Sequence, residues 1–174
     1  MKMPSLTCAL LCIVLLTGCD ASEETEPVAK QPAAVQTPTP VATAAADGTS
    51  LAPGTWDITE DAYGAQAKFG VSPSQNSIII SCKSSVDALT ISIRSDSVAS
   101  EAWRLDAGGE AARIDLQTDG NPDFPYMVAQ IDQGLGIIHA LGEQGQVFTL
   151  TSPQGERLQF PSHPGIRRVI SACN

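Results

Sequence analysis

The sequence predicts an α+β protein, mainly antiparallel β-sheet with two short helices, one of them C-terminal, in a single small domain. Three observations predict it. Between Thr55 and Phe160 apolar residues recur chiefly at every second position, the period of half-buried strands. Clusters of glycine, proline, serine and asparagine punctuate these runs at hairpin distances. Only two stretches switch to a helical period, and both are short. Many short strands of this kind are expected to pack as a β-sandwich.

The folded part is expected over 52–174. Thr55-Trp56-Asp57-Ile58-Thr59 alternates, with Trp56 and Ile58 on one side, and makes a first strand. Ala65 to Val71, set off by Gly64 and Gly70, makes a weaker second one. Ile78, Ile80 and Cys82 share one face of the next strand. After Ser84-Ser85-Val86-Asp87, Leu89, Ile91 and Ile93 alternate against Thr90, Ser92 and Arg94, the clearest hairpin in the chain. Trp103 and Leu105 alternate with Arg104 and Asp106, and Gly108-Gly109 makes the turn into Ala112, Ile114 and Leu116. The outward charges of this pair have both signs and can neighbour each other across strands.

The period changes after Gly120. Phe124, Met127, Val128, Ile131 and Leu135 fall on one helical stripe. Asn121 suits the N-cap, Pro122 the first turn, Asp123 the helix dipole, and Gly134 the end. A strand is expected to resume at Gly136 to Leu141. Val147 to Thr151 and Glu156 to Phe160 flank Ser152-Pro153-Gln154-Gly155 as a last hairpin. Ile166, Val169, Ile170 and Cys173 then repeat at helical spacing, so a C-terminal helix starts near Ser162 or Pro164.

Ahead of the domain, residues 20–50 are mostly Ala, Thr, Pro, Glu and Gln with no aromatic residue and no apolar periodicity. Such composition cannot bury enough surface to offset ordering entropy. Residues 19–51 are therefore expected to form a disordered tether, extended by prolines 27, 32, 38 and 40. Before it, Lys2 precedes an uncharged run from Leu6 to Leu16. That run is short for a bilayer span, which needs about 20 apolar residues, and suits a secretory signal over 1–18. Its end, Leu16-Thr17-Gly18-Cys19, resembles the lipobox of bacterial lipoproteins. The resemblance implies cleavage before Cys19 and acylation there, hence a lipid bilayer as partner and a place on the periplasmic side of a bacterial membrane. Several acyl chains exceed what stable anchoring requires. Asp20 resembles an inner-membrane retention signal, which leaves the choice between inner and outer membrane open.

Cys8 and Cys12 leave with such a signal, and Cys19 goes to lipid. Cys82 and Cys173 remain, an even pair in an oxidising compartment, and a disulfide is the simplest reading. Reactive or zinc-bound cysteines are the alternatives. His139 and His163 would complete four zinc ligands in number, but no short paired spacing supports that. Without Lys2 the chain holds nine Lys and Arg against nineteen Asp and Glu. That balance argues against nucleic acid or anionic lipid surfaces as the main partner, since either would want a basic patch.

Sites of chemistry are sparse. Asp119, Asn121 and Asp123 are similar to the first three ligands of a calcium loop, but Phe124 and Gln130 stand where glycine and glutamate are needed. A helix cap explains the same residues. Neither histidine sits in a nucleophile or metal motif, and Gly64 to Gly70 lacks the spacing of a phosphate loop. No catalytic residue, metal site or cofactor is assigned, and no enzyme is expected. Trp56, Trp103, Tyr63 and Tyr126 could build a binding face, but alternation assigns the tryptophans to the core.

The Trp56-x-Ile58 strand, Ile80-Ser81-Cys82-Lys83, Trp103-Arg104-Leu105-Asp106 and the closing Ile166-x-x-Val169-Ile170-x-x-Cys173 are similar to small periplasmic proteins associated with type VI secretion, the VasI type. Phe160-Pro161-Ser162-His163-Pro164-Gly165 departs from that family's entry to its last helix. The resemblance implies an envelope accessory module that binds another protein of the envelope. The alternative is an inhibitor of an envelope-directed hydrolase, although the Ser-Gly-x-x-Tyr loop of lipoprotein lysozyme inhibitors is missing.

Overall fold

A computed structural model describes residues 45, 47–85 and 88–173 of the protein. In chain order the elements are strands β1 (Thr55–Asp61), β2 (Gly64–Gly70), β3 (Asn76–Lys83), β4 (Ala88–Arg94), β5 (Glu101–Ala107), β6 (Glu110–Thr118) and β7 (Tyr126–Ile131). Helix α1 (Gly136–Ala140), strands β8 (Val147–Thr151) and β9 (Arg157–Pro161), and helix α2 (Gly165–Ser171) follow. All nine strands join one sheet in the order β1-β2-β3-β4-β7-β6-β5-β8-β9, each neighbour antiparallel.

This single sheet replaces the expected β-sandwich. It curls into a half-barrel instead of splitting into two facing layers. The alternating inward residues explain the curl, because they all converge on one core. Ala65, Ala67 and Phe69 of β2, Ile78, Ile80 and Cys82 of β3, and Leu89, Ile91 and Ile93 of β4 are all buried. The far strands contribute Trp103, Leu105, Leu116, Phe148, Leu150 and Phe160. Aromatic rings close the space between the sheet's two ends. Trp56 on β1 lies 6.3 Å from Phe148 on β8, and Phe69 on β2 lies 5.5 Å from Phe160 on β9, edge to face. Pairs in such geometry add about 0.5–1.5 kcal/mol beyond their area.

Helix α2 packs on β2 and β3, where the small inward side chains of Ala65 and Ala67 leave room for it. It buries Ile166, Val169 and Ile170, each worth about 1.5–3 kcal/mol of apolar burial. The sulfurs of Cys82 and Cys173 are at bonding distance, with their Cα atoms 5.5 Å apart and both residues buried. The C-terminal helix is thereby tied to β3.

One exchange of elements corrects the sequence reading. The helix expected after Asn121 is strand β7, and the strand expected at Gly136 to Leu141 is helix α1. In β7 the inward residues are Met127, Ala129 and Ile131, a period of two that one small alanine conceals. The helical stripe through Phe124, Val128 and Leu135 was coincidental, because Phe124 and Leu135 are exposed. In α1, Ile137, Ile138 and Leu141 are all buried, one stripe of a helix closing the end of the core. Asn121 therefore caps no helix.

The signal segment, Cys19 and most of the expected tether lie outside the described residues. Of that tether, Asp47 to Leu51 lie against β9. Asp47 pairs with Arg157 at 3.6 Å, the Thr49 hydroxyl donates to the Gln159 amide oxygen, and the Ala52 N–H donates to the Gln159 carbonyl at 2.8 Å. Among the described residues no helix is long and apolar enough to cross a membrane.

Candidate protein-contact surface

The strand registers place the loops. Gly70 pairs with Asn76, Arg94 with Tyr126, Thr118 with Met127, and Glu101 with Leu116. The loops β2–β3, β4–β5 and β6–β7 consequently emerge at the same end of the sheet. Each carries one large exposed apolar side chain: Val71 is 59% exposed, Val98 88% and Phe124 53%. A single exposed apolar side chain is ordinary, but three on adjoining loops make a candidate contact surface. Asp96, Asp119 and Asp123 lie exposed on the same loops, and Arg94 is the exposed cation at their base.

Hydrogen bonds hold these loops together. Arg94 Nη1 donates to the Ser74 carbonyl at 3.4 Å, and the Ser95 N–H to the Pro125 carbonyl at 3.4 Å. The Tyr126 hydroxyl reaches across β4 to the Asn76 carbonyl at 3.1 Å. Burial pushes the pKa of this phenol up, so it remains a donor. On the β4–β5 loop, Glu101 accepts from the Ser97 hydroxyl at 2.7 Å and from the Trp103 indole N–H at 2.8 Å. Those two bonds, the Ser97 bond first, lower the Glu101 pKa. They also satisfy the indole of a buried tryptophan.

Asp119 and Asn121 shape the β6–β7 loop. Asp119 Oδ1 accepts from the backbone N–H of Asn121 at 3.0 Å, and Asn121 Oδ1 from that of Asp123 at 3.1 Å. These side chains are spent on turns, the local bonding that suits Asx residues. Among the described residues no group of three or more His, Cys, Asp or Glu is arranged to hold a metal ion.

The histidines lie apart from this surface. His139 is exposed on α1. His163 is half-buried before α2, and its Nδ1 accepts from the Gly165 N–H at 3.1 Å. Burial pushes its pKa down, and the positive charge of Arg168 adds to the effect. Among the described residues neither imidazole hydrogen-bonds a carboxylate. Of the four aromatics weighed as a binding face, Trp103 is buried, Trp56 and Tyr126 are half-buried, and Tyr63 is exposed at the sheet's opposite end.

The sequence pattern counts Phe124 toward a helical core and Val71 toward the end of the second strand, which stops at Gly70, and it singles out nothing at Val98. The only sequence signal was an isolated apolar residue within a polar connection, as in Ser95-Asp96-Ser97-Val98. Comparison of the chain with protein-family models, curated proteins and solved structures finds no match in any of the three.

Proposed function

We propose that this protein is a lipid-anchored accessory module of the bacterial envelope that acts through protein contacts made by the β2–β3, β4–β5 and β6–β7 loops. The carrying observation is the convergence of Val71, Val98 and Phe124 at one end of the sheet. The partner's chemistry follows from the surround. Three exposed aspartates beside three apolar tips favour an apolar patch flanked by lysine or arginine. The lipobox-like Leu16-Thr17-Gly18-Cys19 supports anchoring through acylated Cys19, and the VasI-like pattern of strands and closing cysteine supports a role beside a secretion system. A tether raises the effective concentration of a partner near the membrane, so a modest interface suffices.

A photo-crosslinking residue placed at Val98 in the native cell tests the surface. It should yield one protein adduct that disappears when Phe124→Asp is added. The same probe at Leu135, at the other end of the sheet, should yield none. Equal adducts at both ends, or an adduct indifferent to Phe124→Asp, would overturn the assignment. The anchor has its own measurement: mass spectrometry of the N-terminal peptide should show an acylated Cys19, and an unmodified mature terminus elsewhere refutes it.

A further inference from the structure

Strands β6 and β7 diverge within the sheet. The Asp119 N–H donates to the Tyr126 carbonyl at 2.9 Å, and Gln117 pairs with Val128. Asp115 and Gln130 come next in that register, and there the ladder has stopped. Yet β6 stays paired with β5 as far as Glu110, and β7 with β4 as far as Ile131. A seam therefore opens between the two strands.

The turn before β6 fixes which backbone groups face it. Gly108 and Gly109, at φ +59° and +82°, form a two-residue type I′ loop between Ala107 and Glu110. The closing pair of such a hairpin exchanges both hydrogen bonds, and the direction then alternates along the strand. Glu110, Ala112, Ile114 and Leu116 thus bond to β5, while Ala111, Arg113 and Asp115 aim N–H and C=O into the seam. Gln130 faces them from β7, two residues beyond Val128. Among the described residues no strand pairs with these groups.

A pocket of about 190 Å³ lies in the seam. Leu105, Ile114, Ile131 and Ile138, all buried, supply its apolar walls. Aliphatic cavities of about 150 Å³ hold a benzene-sized group, so this one suits a single leucine-sized side chain. Arg113, Asp115, Gln130 and Asp132 form the rim. Asp115 neutralises Arg113 at 2.8 Å, and Asp106 neutralises Arg104, which stands opposite Arg113 on β5, at 2.6 Å. Asp132 belongs to none of the described ion pairs, and its Oδ1 accepts the Gly134 N–H at 2.8 Å. The rim is left with one negative charge in excess. The Glu110 carboxylate, beside Gly136, adds another at the far end of the seam.

We propose that this seam binds a short cationic peptide. Its main chain pairs with the unpaired edge of β6, as backbone groups require and as added strands do. One apolar side chain enters the pocket, and a lysine or arginine next to it meets Asp132. The edge from Ala111 to Asp115 measures about 13 Å, room for three or four residues. The β6–β7 ladder closes one end of the seam, and α1, packed on β5 and β6, closes the other. A free peptide fits between those stops, whereas a strand running through does not. This inference stands apart from the loop surface, because the seam opens toward the opposite end of the sheet.

Titrating the full chain in non-ionic detergent, by amide NMR, tests it. The probes are three tripeptides blocked at both ends: alanyl-leucyl-lysine, alanyl-leucyl-glutamate and alanyl-glycyl-lysine. The first should give saturable shifts at Ala111, Arg113, Asp115 and Gln130. The glycyl peptide, with nothing to fill the pocket, should bind about tenfold more weakly, equivalent to about 1.4 kcal/mol. The glutamyl peptide should bind about fivefold more weakly than the lysyl one. Asp132→Asn, which keeps an oxygen for the Gly134 N–H, should cut that preference to about twofold or less. Asp123→Asn, which removes the same charge at the opposite end, should leave the preference unchanged. The proposal fails if the lysyl peptide gives no saturable shifts, or only shifts in the loops of Val98 and Phe124. It fails equally if the glycyl peptide binds as well, or if Asp132→Asn keeps the parent's preference.

Discussion

The indole N–H of Trp56 on β1 donates to the carbonyl of Pro161 on β9 at 2.7 Å, joining the two outermost strands of a nine-stranded sheet. The same ring packs 5.1 Å from Phe69. Trp56→Phe keeps most of the packing but leaves the Pro161 carbonyl without this donor. The expected loss is about 1 kcal/mol in chemical denaturation, with Trp56→Ala costing distinctly more. A Trp56→Phe protein as stable as the parent would show that the hydrogen bond contributes nothing.

The Cys82–Cys173 link spans 91 residues of sequence. For a loop of that size the chain-entropy account gives roughly 4–5 kcal/mol, and removal of native bridges typically costs about 2–5 kcal/mol. Cys82→Ser and Cys173→Ser should each lower the melting temperature, and the double variant should cost little more than either alone. Peptide mapping without reductant should recover the two cysteines as one linked pair. Two free thiols in protein purified without reductant would refute the bridge.

His163 makes the fold sensitive to mild acid. Its neutral Nδ1 accepts the Gly165 N–H, and its folded pKa is held below the ordinary value of about 6.5. A base depressed in this way contributes stability that is complete above about pH 6.5 and lost as pH falls through the folded pKa. Between pH 7.5 and 5 the protein should therefore lose melting temperature. His163→Asn, whose amide oxygen can accept the same bond without titrating, should lose less. Parallel curves for the two proteins would remove His163 as the cause.

Gly64 stands with φ at +142°, where a Cβ would run into the Cys82 carbonyl oxygen across the β2–β3 ladder. Neither the backbone angle nor the ladder can yield cheaply. Gly64→Ala should cost about 2 kcal/mol or more in urea denaturation, whereas Gly109→Ala, with open space around it, pays only for its φ of +82°. A Gly64→Ala protein as stable as the parent would show that the hairpin relaxes freely.

Much of this fold was legible because its strands are amphipathic. Ile78-Ile80-Cys82 and Leu89-Ile91-Ile93 alternate cleanly, and the structure pairs them at Ile78 with Ile93 and Cys82 with Leu89. β7 escaped because Ala129 is buried yet weakly apolar, while exposed Phe124 and Leu135 completed a spurious stripe. α1 escaped because two adjacent isoleucines fit either a fully buried strand or a helix. The contact surface was illegible for a different reason. Val71, Val98 and Phe124 share one end only because β4 pairs with β7, and periodicity carries no information about strand order.

That same β4–β7 pairing sets a schedule for a chain that emerges N-terminus first. The meander β1 to β4 can assemble as soon as it is exposed, but its growing edge is Leu89 to Ile93, apolar and rich in β-branched residues. The strand that covers this edge follows a whole intervening hairpin, β5–β6. Until β7 arrives, the nascent domain presents a bare, sticky margin of the kind that recruits other chains. The interval before β7 emerges is thus the vulnerable one, and the demand for chaperones should be highest when residues 95–125 have just appeared.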